Sequence, residues 1–234
     1  MIDIHSHVLP GIDDGCKIAT ESLEILKGLE EQGITDLICT PHYIAETSQV
    51  SPKAQNQILL EALQDRAEKN GLSIKLHLGN EIYINKDIEK LLRYKKISPL
   101  AGSKYLLIEL PMSGEFEQYD DILLNLVQKG WKVILAHPER YHSFQKHYEK
   151  ITELHQQGIL LQCNLGSFIG QYGKNAKKTA QKIAKDKMIF CLGSDIHHAR
   201  NYKEITKAQN KLRKYYEFYE FDAILVQNPL KIVQ

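Results

Sequence analysis

Cysteine is scarce and scattered in this chain: four residues in 234, at Cys16, Cys39, Cys163 and Cys191, with no CxxC pair among them. That excludes a disulfide-stapled scaffold and a thiolate-type structural zinc site, and it fits reduced thiols in a cytoplasmic protein. Long apolar runs are also missing. Stretches such as Val133–Ala136 are far too short to cross a bilayer, so the chain does not read as a membrane protein. The opening MIDIHSH has neither a basic n-region nor an apolar h-region, which argues against a signal peptide. A charge excess of one sign is absent too. Thirty basic and 29 acidic residues leave a formal net charge of +1, so no global field draws the protein to nucleic acid or anionic lipid. There is no low-complexity segment, no proline-rich linker and no composition break. At 234 residues and 43% hydrophobic, the chain is sized for one large domain, residues 1–234, with a substantial core.

What the chain does have is a repeat of element type. Short apolar, β-branched runs occur at Met1–His5, Thr35–Thr40, Ser73–Leu78, Tyr105–Leu110, Lys132–Ala136, Ile159–Asn164 and Met188–Leu192. They are nearly continuous rather than alternating, as strands buried on both faces of a parallel sheet are. Amphipathic segments lie between them. Glu21–Gln32 places Leu23, Leu26 and Leu29 on one face and ends at Gly33, a C′ residue. Ser51–Pro52 reads as an N-cap and N1 pair opening a helix through Glu68. Further helices are predicted over Lys86–Tyr94, Asp120–Lys129, His147–Gln157, Lys174–Lys187 and Tyr202–Tyr216. Seven strands alternating with helices indicate a closed β/α barrel or a doubly wound open sheet.

The polar residues at the strand ends separate these two. The first strand runs into His5-Ser6-His7 and then Asp13-Asp14, and the second into Thr40-Pro41-His42. The third ends at Gly79-Asn80-Glu81, and the fourth carries Glu109. The fifth ends at His137-Pro138-Glu139-Arg140, the sixth at Asn164 and the seventh at Asp195-Ile196-His197. Ligands bind outside the carboxyl ends of parallel strands in both folds. Only a barrel makes all these residues converge, so a seven-stranded β/α barrel is favoured. His5 and His7 are two apart on an extended segment and point to one side, where two imidazoles can grip one ion. Asp195 and His197 repeat that spacing. Asp13-Asp14 taken alone could equally be a turn or a helix cap. Nine candidate ligands result: His5, His7, Asp14, His42, Glu81, Glu109, His137, Asp195 and His197. Imidazole plus carboxylate suits Mn, Fe or Zn, and nine groups can serve two or three ions that share a carboxylate. His77, His142, His147, His155 and His198 are read as non-ligands.

The motifs HSHVLPGIDDG, CTPHY, GNEIYI, IELP, AHPERY, QCNLGSFIG and GSDIHH span most of the chain. They resemble the polymerase-and-histidinol-phosphatase (PHP) superfamily of metal-dependent phosphoesterases, and within it the bacterial capsule-locus protein tyrosine phosphatases. The resemblance implies a distorted seven-stranded barrel with three divalent ions, manganese first and iron or zinc as alternatives. It implies that His5, His7, Glu81 and Asp195 hold one ion, and that Glu81 bridges to a second with Glu109 and His137. Asp14, His42 and His197 would hold the third. Arg140 would pair with phosphate, and Arg200 is the nearest candidate for a second arginine. The implied partner is a phosphotyrosine protein, the tail of a membrane-associated tyrosine kinase controlling capsule or exopolysaccharide assembly. The loops Tyr43–Ser51 and Met112–Tyr119 would shape the mouth. A cysteine phosphatase needs an arginine six residues after its nucleophile. The residues there are Ser22, Ala45, Ile169 and His197, which excludes it. The competing readings are a histidinol-phosphate or other small-molecule phosphatase, a phosphodiesterase or nuclease disfavoured by the neutral charge, and a degenerate kinase-binding adaptor.

Overall fold

Seven of the strands follow the apolar runs, and most of them divide their residues between two cores. The computed structural model describes residues 1–47, 50, 52–114 and 116–234, and the side chains of Glu117, Arg200 and Asn201 stand outside that description. Strands β1 (Ile2–Ser6), β2 (Asp36–Cys39), β4 (Lys75–Leu78), β6 (Tyr105–Glu109), β7 (Lys132–Ala136), β8 (Leu160–Asn164) and β9 (Ile189–Gly193) match the predicted runs. Period-two alternation sends Leu106, Ile108, Val133, Leu135, Leu161 and Cys163 to the larger core, under the helices. Leu107, Ile134, Ala136 and Cys191 go to a second cluster with Ile2, Ile4 and Ile38. Burial on both faces is why the runs look continuous in sequence.

Two short strands were not predicted, β3 (His42–Tyr43) and β5 (Glu81–Tyr83). They continue β2 and β4 after interruptions at Thr40-Pro41 and Gly79-Asn80. The interruptions divide the pairing into two all-parallel sheets, β1-β2-β4 and β3-β5-β6-β7-β8-β9. The fold is therefore α/β with parallel sheets, and its ladders do not form the expected closed set of seven. The physical cause lies in the two breaks. Pro41 has no N–H to give to a ladder, and Glu81 N lies 3.4 Å from Thr40 O and 3.3 Å from Pro41 O, a poor pairing at the break. Past the end of β9, Asp195 N donates to His5 O at 2.9 Å and His7 N donates to Ile196 O at 3.0 Å. The two chain regions that carry most of the polar motif are thus tied together by backbone.

The helices are α1 (Ala19–Glu31), α2 (Lys53–Lys69), α3 (Ile88–Arg93), α4 (Glu117–Gln128), α5 (His142–Lys146), α6 (Glu149–Gln156), α7 (Leu165–Ile169), α8 (Gly173–Lys185), α9 (Ile205–Arg213), α10 (Phe218–Asp222) and α11 (Asn228–Val233). Gly33 follows α1 at φ +82°, as its C′ role requires, and its N–H donates to Glu30 O at 2.9 Å. Ser51, predicted to cap α2, lies outside the described residues, and Pro52 occupies the cap position. The predicted helix Tyr202–Tyr216 is instead a 3₁₀ turn, Ala199–Glu204, followed by α9. Among the described residues no helix is long and apolar enough to cross a membrane.

Candidate metal centre

All nine predicted ligands meet at the carboxyl ends of the strands. His5 ends up wholly buried on β1, with His7 one residue past it, and their Nε2 atoms lie 3.2 Å apart. Two imidazole nitrogens at that distance cannot both carry a proton comfortably, but they suit two donors facing one cation. His5 Nε2 is 3.2 Å from Glu81 Oε2 and 3.5 Å from Asp195 Oδ1. His7 Nε2 is 3.3 Å and 3.4 Å from the same two atoms. On the other side of Glu81, His137 Nε2 lies 2.9 Å from Oε1, and His42 Nδ1 lies 3.1 Å from Oε2. Glu109 Oε2 is 3.7 Å from His42 Nδ1, and Glu109 Oε1 is 3.8 Å from His137 Nε2. Nearer the surface, Asp14 Oδ1 sits 3.5 Å from His42 Nε2 and 3.4 Å from His197 Nε2.

The groupings agree with the expected sets in part. His5-His7-Glu81 stand together, as do Asp14-His42-His197, with His7 also in reach of the second set. Glu109 groups with Glu81 and His42, whereas His137 groups with His5 and Asp195. His77 pairs instead with Asp36, and His155 with the Ile159 carbonyl. His147 pairs with Glu149 at the surface, and His198 lies 3.7 Å from Glu21. None of these joins the cluster.

The donor set fits divalent ions. Three imidazoles have their outward nitrogen fixed by a group that accepts: His5 Nδ1 to Gln162 Oε1 at 2.9 Å, His7 Nδ1 to Asp13 Oδ2 at 2.8 Å, and His197 Nδ1 to Asp195 O at 2.9 Å. Each therefore turns Nε2 inward, the orientation that an acceptor on the far ring nitrogen gives to metal-binding histidines. Buried His42 Nδ1 and Glu81 Oε2 face the centre with no hydrogen-bond donor or acceptor of their own. An ion between them would satisfy both.

The electrostatics of the protein groups point the same way. Burial alone would raise Glu81 and Asp195. The facing histidines together outweigh it, His5 foremost, with His42 and His137 at Glu81 and His7 and His137 at Asp195, and hold both carboxylates well below the ordinary range. At Glu109 burial, together with the Glu81 and Asp195 charges, outweighs the pull of Arg140 and His7 and pushes the carboxyl up to about 9. Burial works against charge on His7, yet hydrogen bonding to Asp13, Asp195 and Glu81 raises it well above its usual value. Carboxylates this crowded call for positive charge beside them.

Local backbone serves the site. His137 and Asp195 adopt φ of +33° and +52°, a left-handed conformation that non-glycine residues enter at a cost and that is concentrated at functional sites. Gly15 lies so close under His7 that a Cβ would stand 2.0 Å from the His7 carbonyl oxygen. Arg140, 24% exposed, donates from Nη1 to Asp195 Oδ2 at 2.6 Å, and its guanidinium lies 4.5 Å over the Tyr172 ring. The Arg200 side chain lies outside the described residues, as do residues 48, 49, 51 and 115 of the two loops assigned to the mouth. All four cysteines are buried, and burial raises each thiol, Cys16 to about 11, so none is poised as a nucleophile.

Sequence reasoning left four partners unassigned: Asp13, Gln162, Asn164 and Tyr172. Asp13 Oδ2 accepts from His7 Nδ1 and from His42 N at 3.1 Å, and Oδ1 accepts from Gly15 N. The paired DD carried that signal in part, since two adjacent acids beside HSH can divide between ligand and orienting partner. Tyr172 sits in a turn that no periodicity marks.

The family model for capsular polysaccharide synthesis, CpsB/CapC, matches residues 1–234. This chain belongs to the CpsB/CapC family. CapC of Staphylococcus aureus is 32% identical over 224 residues, covering 94% of this chain and 87% of that protein. The tyrosine-protein phosphatase YwqE of Bacillus subtilis is 30% identical over 200 residues, covering 86% and 78%. A crystal structure described with YwqE of B. subtilis and CpsB of Streptococcus pneumoniae, metal-dependent tyrosine phosphatases, superposes at a TM-score of 0.88. It shares 27% identity and covers 100% of this chain and 94% of the other. This CpsB/CapC chain therefore shares its fold over its whole length with that metal-dependent enzyme.

Proposed function

We propose that this CpsB/CapC chain is a metal-dependent phosphatase that hydrolyses phosphotyrosine in proteins, with residues 1–234 acting as one unit. The observation that carries the reading is the convergence of nine inward-facing imidazoles and carboxylates beneath one arginine. Three divalent ions, manganese first, would be held by His5, His7, Asp14, His42, Glu81, Glu109, His137, Asp195 and His197. Such ions supply Lewis-acid stabilisation and activation of water at neutral pH. The strands would act as a single distorted seven-position β/α barrel. In support, β3 and β5 continue β2 and β4, and the backbone ties past β9 reach β1.

The chain's own residues divide the remaining work. Arg140 commits one N–H to Asp195 and is stacked on Tyr172, so its remaining N–H groups are held in a fixed plane at the rim. Those groups would clamp the phosphoryl oxygens with charge-assisted hydrogen bonds, and Arg200 would add a second clamp. A tyrosine leaving group has a parent pKa of about 10, so it departs more readily than an alkoxide and demands little general-acid help. The rim is open, with Asp14 58% exposed and His197 23% exposed, which suits a tyrosine presented on a protein surface. The substrate would be the tail of a membrane-associated tyrosine kinase in capsule assembly, met in the cytoplasm.

The test is phosphate release from a phosphotyrosine peptide and from histidinol phosphate by metal-stripped protein refilled with Mn²⁺. Release from the peptide, lost in His5→Ala, is the expected result. Release from histidinol phosphate alone would transfer the site to small-molecule substrates.

A further inference from the structure

We propose that Gln162 and Asn164 form a directional amide relay that sets the tautomer of His5 from the carboxylate of Asp195. The proposal rests on the metal-site reading above and assigns two positioning residues to it. Both amides are wholly buried, two residues apart on β8, and so on one face of the strand. His5 Nδ1 meets Gln162 Oε1 at 2.9 Å, Gln162 Nε2 donates to Asn164 Oδ1 at 2.8 Å, and Asn164 Nδ2 donates to Asp195 Oδ2 at 2.7 Å.

The chemistry fixes the direction of this chain of bonds. An ionised carboxylate only accepts, so Asn164 must turn its NH₂ toward Asp195. Its carbonyl then faces Gln162, which must present NH₂ in turn and aim its own carbonyl at His5. His5 is left to donate from Nδ1, and its Nε2 lone pair points at Glu81, His7 and Asp195 Oδ1. Asp195 is oriented by the same bonds. Its Oδ2 accepts from Asn164 and Arg140, and from the Tyr172 hydroxyl at 3.5 Å, leaving Oδ1 turned to the two histidines. Two candidate ligands from opposite ends of the sequence are thereby set by one strand that contributes no ligand.

The surroundings are built around the relay. Asn164 N donates to Glu139 Oε1 at 2.8 Å, and Ser167 Oγ donates to the same oxygen at 2.6 Å, so the backbone beneath Asn164 is pinned. Gly193 leaves room for the Gln162 side chain. A Cβ there would stand 2.8 Å from Gln162 Nε2 and 2.6 Å from His5 Cβ.

The experiment uses the full chain labelled with ¹⁵N-histidine, together with Mn²⁺ affinity measured by competition with a chelating dye. In metal-free wild type, at a pH that neutralises the imidazoles, His5 should carry its proton on Nδ1. Asn164→Leu does not touch His5, yet it should shift His5 toward the Nε2–H form, and Gln162→Met should do the same. Both variants should bind Mn²⁺ about 10- to 100-fold more weakly. An Nε2–H His5 in wild type overturns the relay without any variant. So does an Asn164→Leu protein whose His5 tautomer is unchanged, or variants whose Mn²⁺ affinity matches wild type. Wild type that binds no Mn²⁺ refutes the metal-site reading instead, and the tautomer then judges the relay alone.

Discussion

The floor and the rim of the cluster are built by different rules. On the floor, His5, His7, Glu81, His137 and Asp195 are at most 4% exposed. His5, His7 and Asp195 are each anchored by a buried partner outside the cluster. At the rim, Asp14 is 58% exposed, and His197, 23% exposed, has its Nδ1 fixed by a backbone carbonyl. A buried carboxylate must be paired or matched to a cation, whereas an exposed one is solvated at little cost. On the proposed reading the floor would therefore hold its ions tightly. On the same reading the rim would gain and lose an ion more cheaply.

Breaking the floor should have the largest effect. Glu81→Gln removes the carboxylate that faces His5, His7, His42 and His137, and should cost several kcal/mol of transition-state stabilisation, on the order of a thousandfold in kcat/KM. Ions counted per chain by mass spectrometry should fall with it. Arg140→Ala comes next, with kcat/KM down about 10²–10³-fold on a phosphotyrosine peptide and the ion count unchanged. A parallel loss of ions would mean that Arg140 holds Asp195 rather than phosphate. Asp14→Asn, at the exposed end, should lower the apparent Mn²⁺ affinity of the weakest site while the tighter ions stay bound, as equilibrium dialysis would show. The smallest effect belongs to Tyr172→Leu. Losing the stack under Arg140 is worth about 0.5–2 kcal/mol. It should raise KM and lower kcat by a few-fold without changing metal content, whereas Tyr172→Phe should stay close to wild type.

The same contrast governs what the sequence made legible. The candidate ligands stood out because their types are rare in apolar strands and because they recur at successive strand ends, and the side chains of all nine meet in space. Seven of the nine described strands were equally visible, since burial on both faces writes an uninterrupted apolar run. What stayed hidden was whatever depends on neighbours distant in sequence. Gln162 reads as one polar residue in a strand, and only the approach of β1 and the Asp195 turn gives it a role. Tyr172 becomes meaningful once Arg140 lies over it. The splitting of the sheet at Thr40-Pro41 and Gly79-Asn80 was written in the proline and the glycine. Yet His42 and Glu81 beyond them read as loop ligands rather than as the first residues of new strands. The regrouping of Glu109 with His42 follows from distances that no spacing rule supplies.

The most direct test titrates Mn²⁺ into metal-stripped protein and measures, at each point, ions per chain and phosphate released from a phosphotyrosine peptide. The account predicts no release from the stripped protein, occupancy of the buried floor first, and a rise in release as the exposed rim fills. Undiminished release from protein shown to hold no metal would contradict it.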